Sequence, residues 1–349
     1  MKGVHQVLAG AAPRDAITNH ALEARRIIQE MGFRSELFAE ALHTDASLTD
    51  RIHPHTEWNT FAYAGDAVIV HYSIESPAFD YVMRRAGTVG MQYHNITPPD
   101  LLWRYSPGLA QQCAEGRAYL ASLTARVNHA SADSAFNADE LVALGFRDPA
   151  VIGILRNRAR QPGTIARPDG RLRLLFVGRG VANKCQDDLI LTLASLQQAG
   201  VSADLRLVGA WGPGHAFEGR CRWLAKRLGV DDSVAFLGSV SDAALDSEYA
   251  SADAFVCMSR HEGFCVPIIE AMEAGLPVVA RRAGAVSETL GQGGVLLDDP
   301  TPSDMAEAIA AVLGGALRDE MRVGRLEQLA IHSTDATTVR LRAFVETLA

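Results

Sequence analysis

Short apolar runs alternate with longer amphipathic runs along most of this chain, and that alternation limits the possible folds more than any other feature. In the second half "LRLLFVG" is followed by "CQDDLILTLASLQQAG" and then "ADLRLVG". Apolar runs of about 4–8 residues closed by glycine read as buried strands, and longer runs with three-to-four-residue spacing read as helices. Strand–helix–strand units bring each strand back in the same direction, so the sheet is parallel and covered on both faces. The rhythm continues through "GHAFEGRCRWLAKRLG", "SVAFLGSV", "DAALDSEYASA", "AFVCMS", "VPIIEAMEAG", "LPVVA" and "PSDMAEAIAAVLGG".

The first half follows the same rule. "VHQVLAG" reads as a strand and "NHALEARRIIQEMG" as a helix, with Leu22, Ile27, Ile28 and Met31 on one face and Gly32 as the stop. "SELFAEA", "AVIVHY", "GTVGMQYHN" and "ARVNHASAD" read as further strands, and "LLWRYSPGLAQQCAEGRAYLASL" as helical on both sides of Pro107. Between the halves, "LRNRARQPGTIARPDGRLR" lacks apolar periodicity and is rich in Arg, Pro and Gly, which marks a linker with a boundary near residue 165. With 349 residues, two domains are expected: 1–165 and 166–335, with a C-terminal helix at 336–349 packing back on the first.

Composition excludes several classes. With 48% apolar and 21% charged residues the chain is that of a soluble globular protein, and a net charge of −8 argues against nucleic acid as a partner. The five cysteines are scattered with no metal-ligand spacing, so neither a disulfide framework nor a metal is expected. A reducing, cytoplasmic setting follows. The N-terminus reads as a first strand, not a leader, and no run approaches the ~20 apolar residues of a membrane span. Arg25, Arg26 and the basic linker allow peripheral contact with an anionic membrane, though a solvated face accounts for them equally.

Ligands of open parallel sheets bind beyond the carboxyl ends of the strands, so chemistry is sought there, in a cleft between the two domains. In "LLFVGRGVANKCQDD", Gly178 ends a strand, and Arg179 and Lys184 precede the next helix. Glycine permits close approach, and two cations with a helix start suit a phosphate or diphosphate; two solvated cations in a loop give the same pattern. In "HEGFCVPIIEAMEAGLPVVA", Glu262 and Glu270 stand eight positions apart. Glu262, Gly263, Phe264 and Cys265 follow a strand, Val266 and Pro267 open a helix, and Glu270 lies one turn in. Both carboxylates can then accept hydrogen bonds from hydroxyls in front of a helix start that attracts an anion, the description of a nucleotide sugar. Alternatively, Glu270 favours the helix dipole and Glu262 is solvated.

The last segment, with "FVGRGVANKCQDDLI" and "VAFLGSVSDAALDSEYASADAFVCMSRHEGF", resembles the retaining family-4 glycosyltransferases over most of residues 170–300, with their E-x7-E signature and G-R…K element. The resemblance implies a GT-B fold of two Rossmann-like α/β/α domains and hexose transfer from a UDP- or GDP-sugar to a saccharide or lipid-linked acceptor, with retention and without a metal or other cofactor. Polysaccharide or glycoconjugate synthesis is the implied setting. Arg179 and Lys184 would bind the diphosphate, Glu270 the ribose and Glu262 the transferred sugar. Backbone around Gly178, Gly263, Phe264, Cys265 and Val266 would complete the donor site, with Gly284 and Glu288 in support. Cys265 stands where relatives often carry glycine. His94, after "GMQY", matches a histidine near the donor sugar and is expected to bind donor or acceptor; with Arg179, Lys184 and Glu262 it forms the expected catalytic set. Gly10, Asp15, His20, Asn95, Ser134 and Asn137 are cleft or acceptor candidates; Asp15 reads equally as a helix cap. A sugar-nucleotide epimerase of the same fold and a silent binding subunit of a polysaccharide assembly complex are the alternatives. A nicotinamide oxidoreductase is disfavoured because "VLAGAAPRDA" does not complete G-x-G-x-x-G.

Overall fold

Two parallel sheets account for the alternation. In a computed structural model of the chain, residues 2–156, 159–161, 170–211, 216–315 and 318–349 are described, 318–319 by backbone alone. The chain divides into two compact units, Met1–Ile96 with Gln111–Arg158 and His332–Ala349, and Thr97–Ala110 with Ala159–Ile331. The expected boundary near 165 lies outside the described residues. The last helix belongs to the unit that contains the first strand.

The first unit holds seven parallel strands: β1 (Val4–Leu8), β2 (Leu37–Ala39), β3 (His53–Pro54), β4 (Ala67–Tyr72), β5 (Thr88–Tyr93), β6 (His129–Ala132) and β7 (Ala150–Val151). Their order, β3-β2-β1-β4-β5-β6-β7, reverses direction of winding between β1 and β4. Every residue of β1 and β4 is buried, as strands covered on both faces require. Its helices are α1 (Ala16–Glu30), α2 (Trp58–Phe61), α3 (Pro77–Met83), α5 (Ala135–Ala143) and most of α4 (Pro107–Ser122). Pro107 opens α4, where its missing N–H is harmless, and upstream only a 3-10 turn forms at Pro99–Leu101; the continuous helix expected there does not.

The second unit is wound as β10-β9-β8-β11-β12-β13, the order of a dinucleotide-binding sheet. Its strands are β8 (Leu172–Val177), β9 (Ala203–Val208), β10 (Val234–Gly238), β11 (Ala254–Cys257), β12 (Val278–Arg281) and β13 (Val295–Leu297). Its helices are α6 (Gln186–Gln198), α7 (Ala216–Leu228), α8 (Asp242–Ser251), α9 (Val266–Glu273), α10 (Val286–Leu290), α11 (Pro302–Leu313) and α12 (Arg318–Ile331). The switch point lies between β8 and β11, where Leu174 and Leu175 pair with Ala254 and Phe255.

The C-terminal helix α13 (Thr334–Leu348) packs against the first unit's sheet. Leu341, Phe344, Val345 and Leu348 share a core with Val4, Ile27, Ile28, Ile69, Ile152 and Leu155. Gly90 in β5 makes room: a Cβ there would lie 2.9 Å from Leu348.

Candidate functional site

The two motif loops leave adjacent strands at the second unit's switch point. After β8 the chain turns at Gly178, whose carbonyl oxygen lies 2.0 Å from where a Cβ on Gly209 would stand; Gly209, at φ +139°, is the residue that lets the β9 end come so close. Arg179 is exposed beyond it. Ala182–Lys184 form a 3-10 turn, and Cys185, at φ 53°, redirects the chain into α6. The loop after β11 is tied to this turn by Arg260 N–H donating to the Asn183 carbonyl at 2.8 Å.

That tie sets Lys184 against Glu262. Lys184 Nζ donates to Glu262 Oε2 at 2.6 Å, with side-chain exposures of 17% and 9%. Burial alone would lower the Lys184 ammonium, but the Glu262 carboxylate outweighs it and the shift is upward, so the lysine stays charged. Gly284, at φ +56°, backs the loop: a Cβ there would stand 2.3 Å from the Glu262 carbonyl, which accepts from Ala285 N at 2.9 Å. Thr289 Oγ1 holds the Phe264 carbonyl at 2.5 Å. Glu288 lies in the first turn of α10, half-buried.

Cys265 caps α9 in a left-handed conformation, φ 72°, and its thiol faces Cys257. The hydrogen bond from Cys265 lowers the Cys257 thiol and raises that of Cys265. Cys257, Glu262 and Cys265 place ligand atoms within 4.8 Å of one another. Two sulfurs and a carboxylate can ligate a soft ion, and the Lys184 ammonium bonds the same carboxylate.

Glu270 lies one turn into α9 and has its own partners. Tyr249 Oη donates to Oε2 at 2.9 Å, and Arg160 donates to Oε1 from Nε at 3.0 Å and Nη2 at 2.6 Å. Arg160, 8% exposed, also pairs with Asp246, and its backbone N–H donates to Glu273 at 3.0 Å. Tyr249 is the tyrosine of "SEYASAD" that carries part of the family resemblance. Arg160 gave no signal in the sequence: it stands in the stretch read as a basic linker.

In the first unit the candidates form a buried polar chain under the carboxyl ends of the strands. Gln6 Nε2 donates to the Ala21 carbonyl at 3.2 Å, which turns Gln6 Oε1 toward His71 Nε2 at 2.8 Å. Burial, with His94 and His20 adding to it, lowers His71 well below the usual histidine range. His71 is therefore neutral with its hydrogen on Nε2, and its Nδ1 accepts from His94 Nε2 at 2.9 Å. His94 Nδ1 meets Asp133 Oδ2 at 2.9 Å, and Asp133 Oδ1 accepts from Gln92 at 2.9 Å. Gln92 Oε1 accepts from His20 Nε2 at 2.9 Å, and His20 Nδ1 accepts from Leu155 N at 2.9 Å.

This chain changes several expectations. The His94 side chain is 1% exposed with both ring nitrogens engaged, so it is not held as a free acid or base. His20 is fully buried and cannot contact an acceptor, and Ser134 and Asn137 are as deep. Ser134 caps α5 by accepting from Asn137 N at 3.1 Å. Asn95, at φ 70°, is buried and donates to Asn137 Oδ1 at 2.8 Å. Asp15 caps α1, accepting from Thr18 N at 2.9 Å. Gly10 lies close to His43, whose carbonyl oxygen would stand 2.6 Å from a Cβ there. Arg26 pairs with Glu23 and Glu30 along its own helix, and Arg25 donates to the Arg51 carbonyl at 2.8 Å. Among the described residues no helix is long and apolar enough to cross a membrane.

Residues 157–323 match the family described as "Glycosyl transferases group 1". The chain is 34% identical over 195 residues to D-inositol 3-phosphate glycosyltransferase 2 of Catenulispora acidiphila, covering 50% of this chain and 45% of that one. It is 32% identical over 175 residues to the GDP-mannose-dependent alpha-(1-6)-phosphatidylinositol monomannoside mannosyltransferase of Mycobacterium tuberculosis, covering 48% and 43%. The matched stretches thus span about half the length of these curated relatives. In structure the chain is similar to HepE of Anabaena in complex with UDP and glucose, with a TM-score of 0.75 at 16% identity over 99% of this chain and 100% of that one. It is also similar to sucrose-phosphate synthase of Thermosynechococcus elongatus, with a TM-score of 0.74 at 16% identity over 100% and 99%. These likenesses establish the GT-B fold: two Rossmann-like α/β units.

Proposed function

We propose that this protein moves a hexosyl group from a nucleotide diphosphate sugar to a saccharide or lipid-linked acceptor, with retention of configuration. The observation that carries the reading is the Lys184–Glu262 ion pair at the switch point of a dinucleotide-type sheet, with Glu270 one turn into the helix that follows. The match of this same segment to group 1 glycosyl transferases supports it, as do relatives named for GDP-mannose and inositol phosphate chemistry.

Each side chain then has a task set by its chemistry. The leaving diphosphate gains charge as the glycosidic bond breaks, and Arg179 and Lys184 stabilise that charge where it develops. Their cations do what a bound metal does elsewhere, so transfer is expected to proceed without one. Glu262 accepts from hydroxyls of the sugar while sharing Lys184, and Glu270 accepts from the ribose. The anomeric centre becomes oxocarbenium-like, the acceptor attacks from the face the diphosphate leaves, and the departing phosphate oxygen takes the acceptor proton. No proton transfer is assigned to His94, whose nitrogens are committed to His71 and Asp133. A role in polysaccharide or glycoconjugate synthesis, on the cytoplasmic side and with peripheral membrane contact at most, fits this donor and acceptor chemistry.

The test is transfer from a panel of UDP-, GDP- and ADP-sugars, with the product's anomeric configuration read by NMR. Retention with one donor, undiminished by a chelator, is expected. Inversion, or no transfer with any donor and acceptor in the panel, rejects the reading.

A further inference from the structure

We infer that Arg160 is the positioning residue of the ribose subsite, fixing Glu270 so that it reads one of the two vicinal ribose hydroxyls. The inference rests on the proposal that Glu270 takes the donor ribose. A carboxylate offers roughly four acceptor positions. On Glu270, Arg160 fills both positions of Oε1, through Nε at 3.0 Å and Nη2 at 2.6 Å, and Tyr249 fills one of Oε2 at 2.9 Å. Among the described residues, one position on Oε2 is left. A free glutamate could chelate both hydroxyls; this one has a single acceptor position with a fixed direction.

Charge adds a second reason. Asp246 and Glu270 bond to the Arg160 guanidinium and Glu273 to its backbone N–H, so three carboxylates gather at one cation. Without that guanidinium they would repel the donor's diphosphate. The Arg160 side chain is 7% exposed, and its planar fork bonds Glu270 and Asp246 at once, which a lysine ammonium cannot reproduce.

The experiment uses the full chain and calorimetric binding of UDP, GDP and ADP, then the 2′-deoxy and 3′-deoxy forms of whichever binds. A hydrogen bond to a charged acceptor corresponds to about tenfold or more in affinity. Wild type is expected to lose about that for one deoxy form and little for the other. Arg160→Gln is expected to weaken binding of every diphosphate and to bring the ribose and deoxy affinities to within about threefold. Arg160→Lys keeps the charge and most of the volume, so it retains much of the affinity but loses the discrimination; it also serves if the glutamine variant does not fold. A role confined to stability would lower the melting temperature and leave the ratio unchanged. If the wild type discriminates and both folded variants keep the ratio, the inference fails while the ribose reading stands. Tighter binding by Arg160→Gln, or equal losses for both deoxy forms in the wild type, also overturns it. If the wild type shows no loss for either deoxy form, the ribose reading itself fails.

Discussion

Lys184 and Glu262 are more informative as a pair than either is alone. Each would be costly in so enclosed a place without the other; together they form a largely enclosed ion pair that joins the loops before α6 and α9. Lys184→Ala is expected to slow transfer by about 100-fold, as loss of one group stabilising developing charge does elsewhere, while Glu270→Ala mainly weakens donor binding. Steady-state kinetics separate the two: the first variant should lower kcat, the second raise KM. His20 supplies a prediction about stability. Burial, with His94 next in size, holds it down to about 4, so the native protein keeps it neutral while the unfolded chain takes up a proton near 6.5. Stability from this residue is full above that range and is lost as pH falls from 6.5 toward 4, by about 3 kcal/mol in all. Urea unfolding across that interval should show the slope, and His20→Asn should reduce it by His20's share, leaving that of His71. At this scale the sequence was readable where chemistry follows a strand: Gly178, Lys184, Glu262 and Glu270 all lie at strand ends or in the next turn. It was silent on Arg160 and Asp133, whose partners stand 110 and 39 positions away, and it misplaced His20, because a histidine's burial is decided by the sheet above it.

Elements were legible in proportion to their length. Most long helices and the fully buried strands declare themselves by period and apolar content; α12, with six charged residues in 14, does not. β3, β7 and β13 do not, being two or three residues long with no alternation to read. Their parallel pairing is imposed by neighbours already in place. α13 matters to the first unit out of proportion to its place at the end of the chain, since Phe344, Val345 and Leu348 complete the core beneath β5. Phe344→Ala is expected to destabilise the protein by about 3–5 kcal/mol, measured by denaturant unfolding. Gly284→Ala tests a different link. A methyl group there meets the Glu262 carbonyl at a φ of +56°, so donor affinity should fall even if the melting temperature moves little, because the loop that carries Glu262 must shift.

On the scale of the whole molecule, two sheets wound in the same sense each present a switch point, and at the second lies the Lys184–Glu262 ion pair. In the first unit the corresponding region is occupied by the closed Gln6–His71–His94–Asp133–Gln92–His20 chain, all of it buried. Binding of a nucleoside diphosphate by the second unit through Lys184, Glu262 and Glu270, as proposed, is tested most directly by thermal unfolding of the full chain and of Glu270→Ala with UDP, GDP and ADP. One nucleotide should stabilise the wild type, by about 2.7 kcal/mol at a hundred times its Kd, and the variant should lose most of that gain at the same concentration. No stabilisation by any of the three, or an equal gain in Glu270→Ala, would contradict the claim.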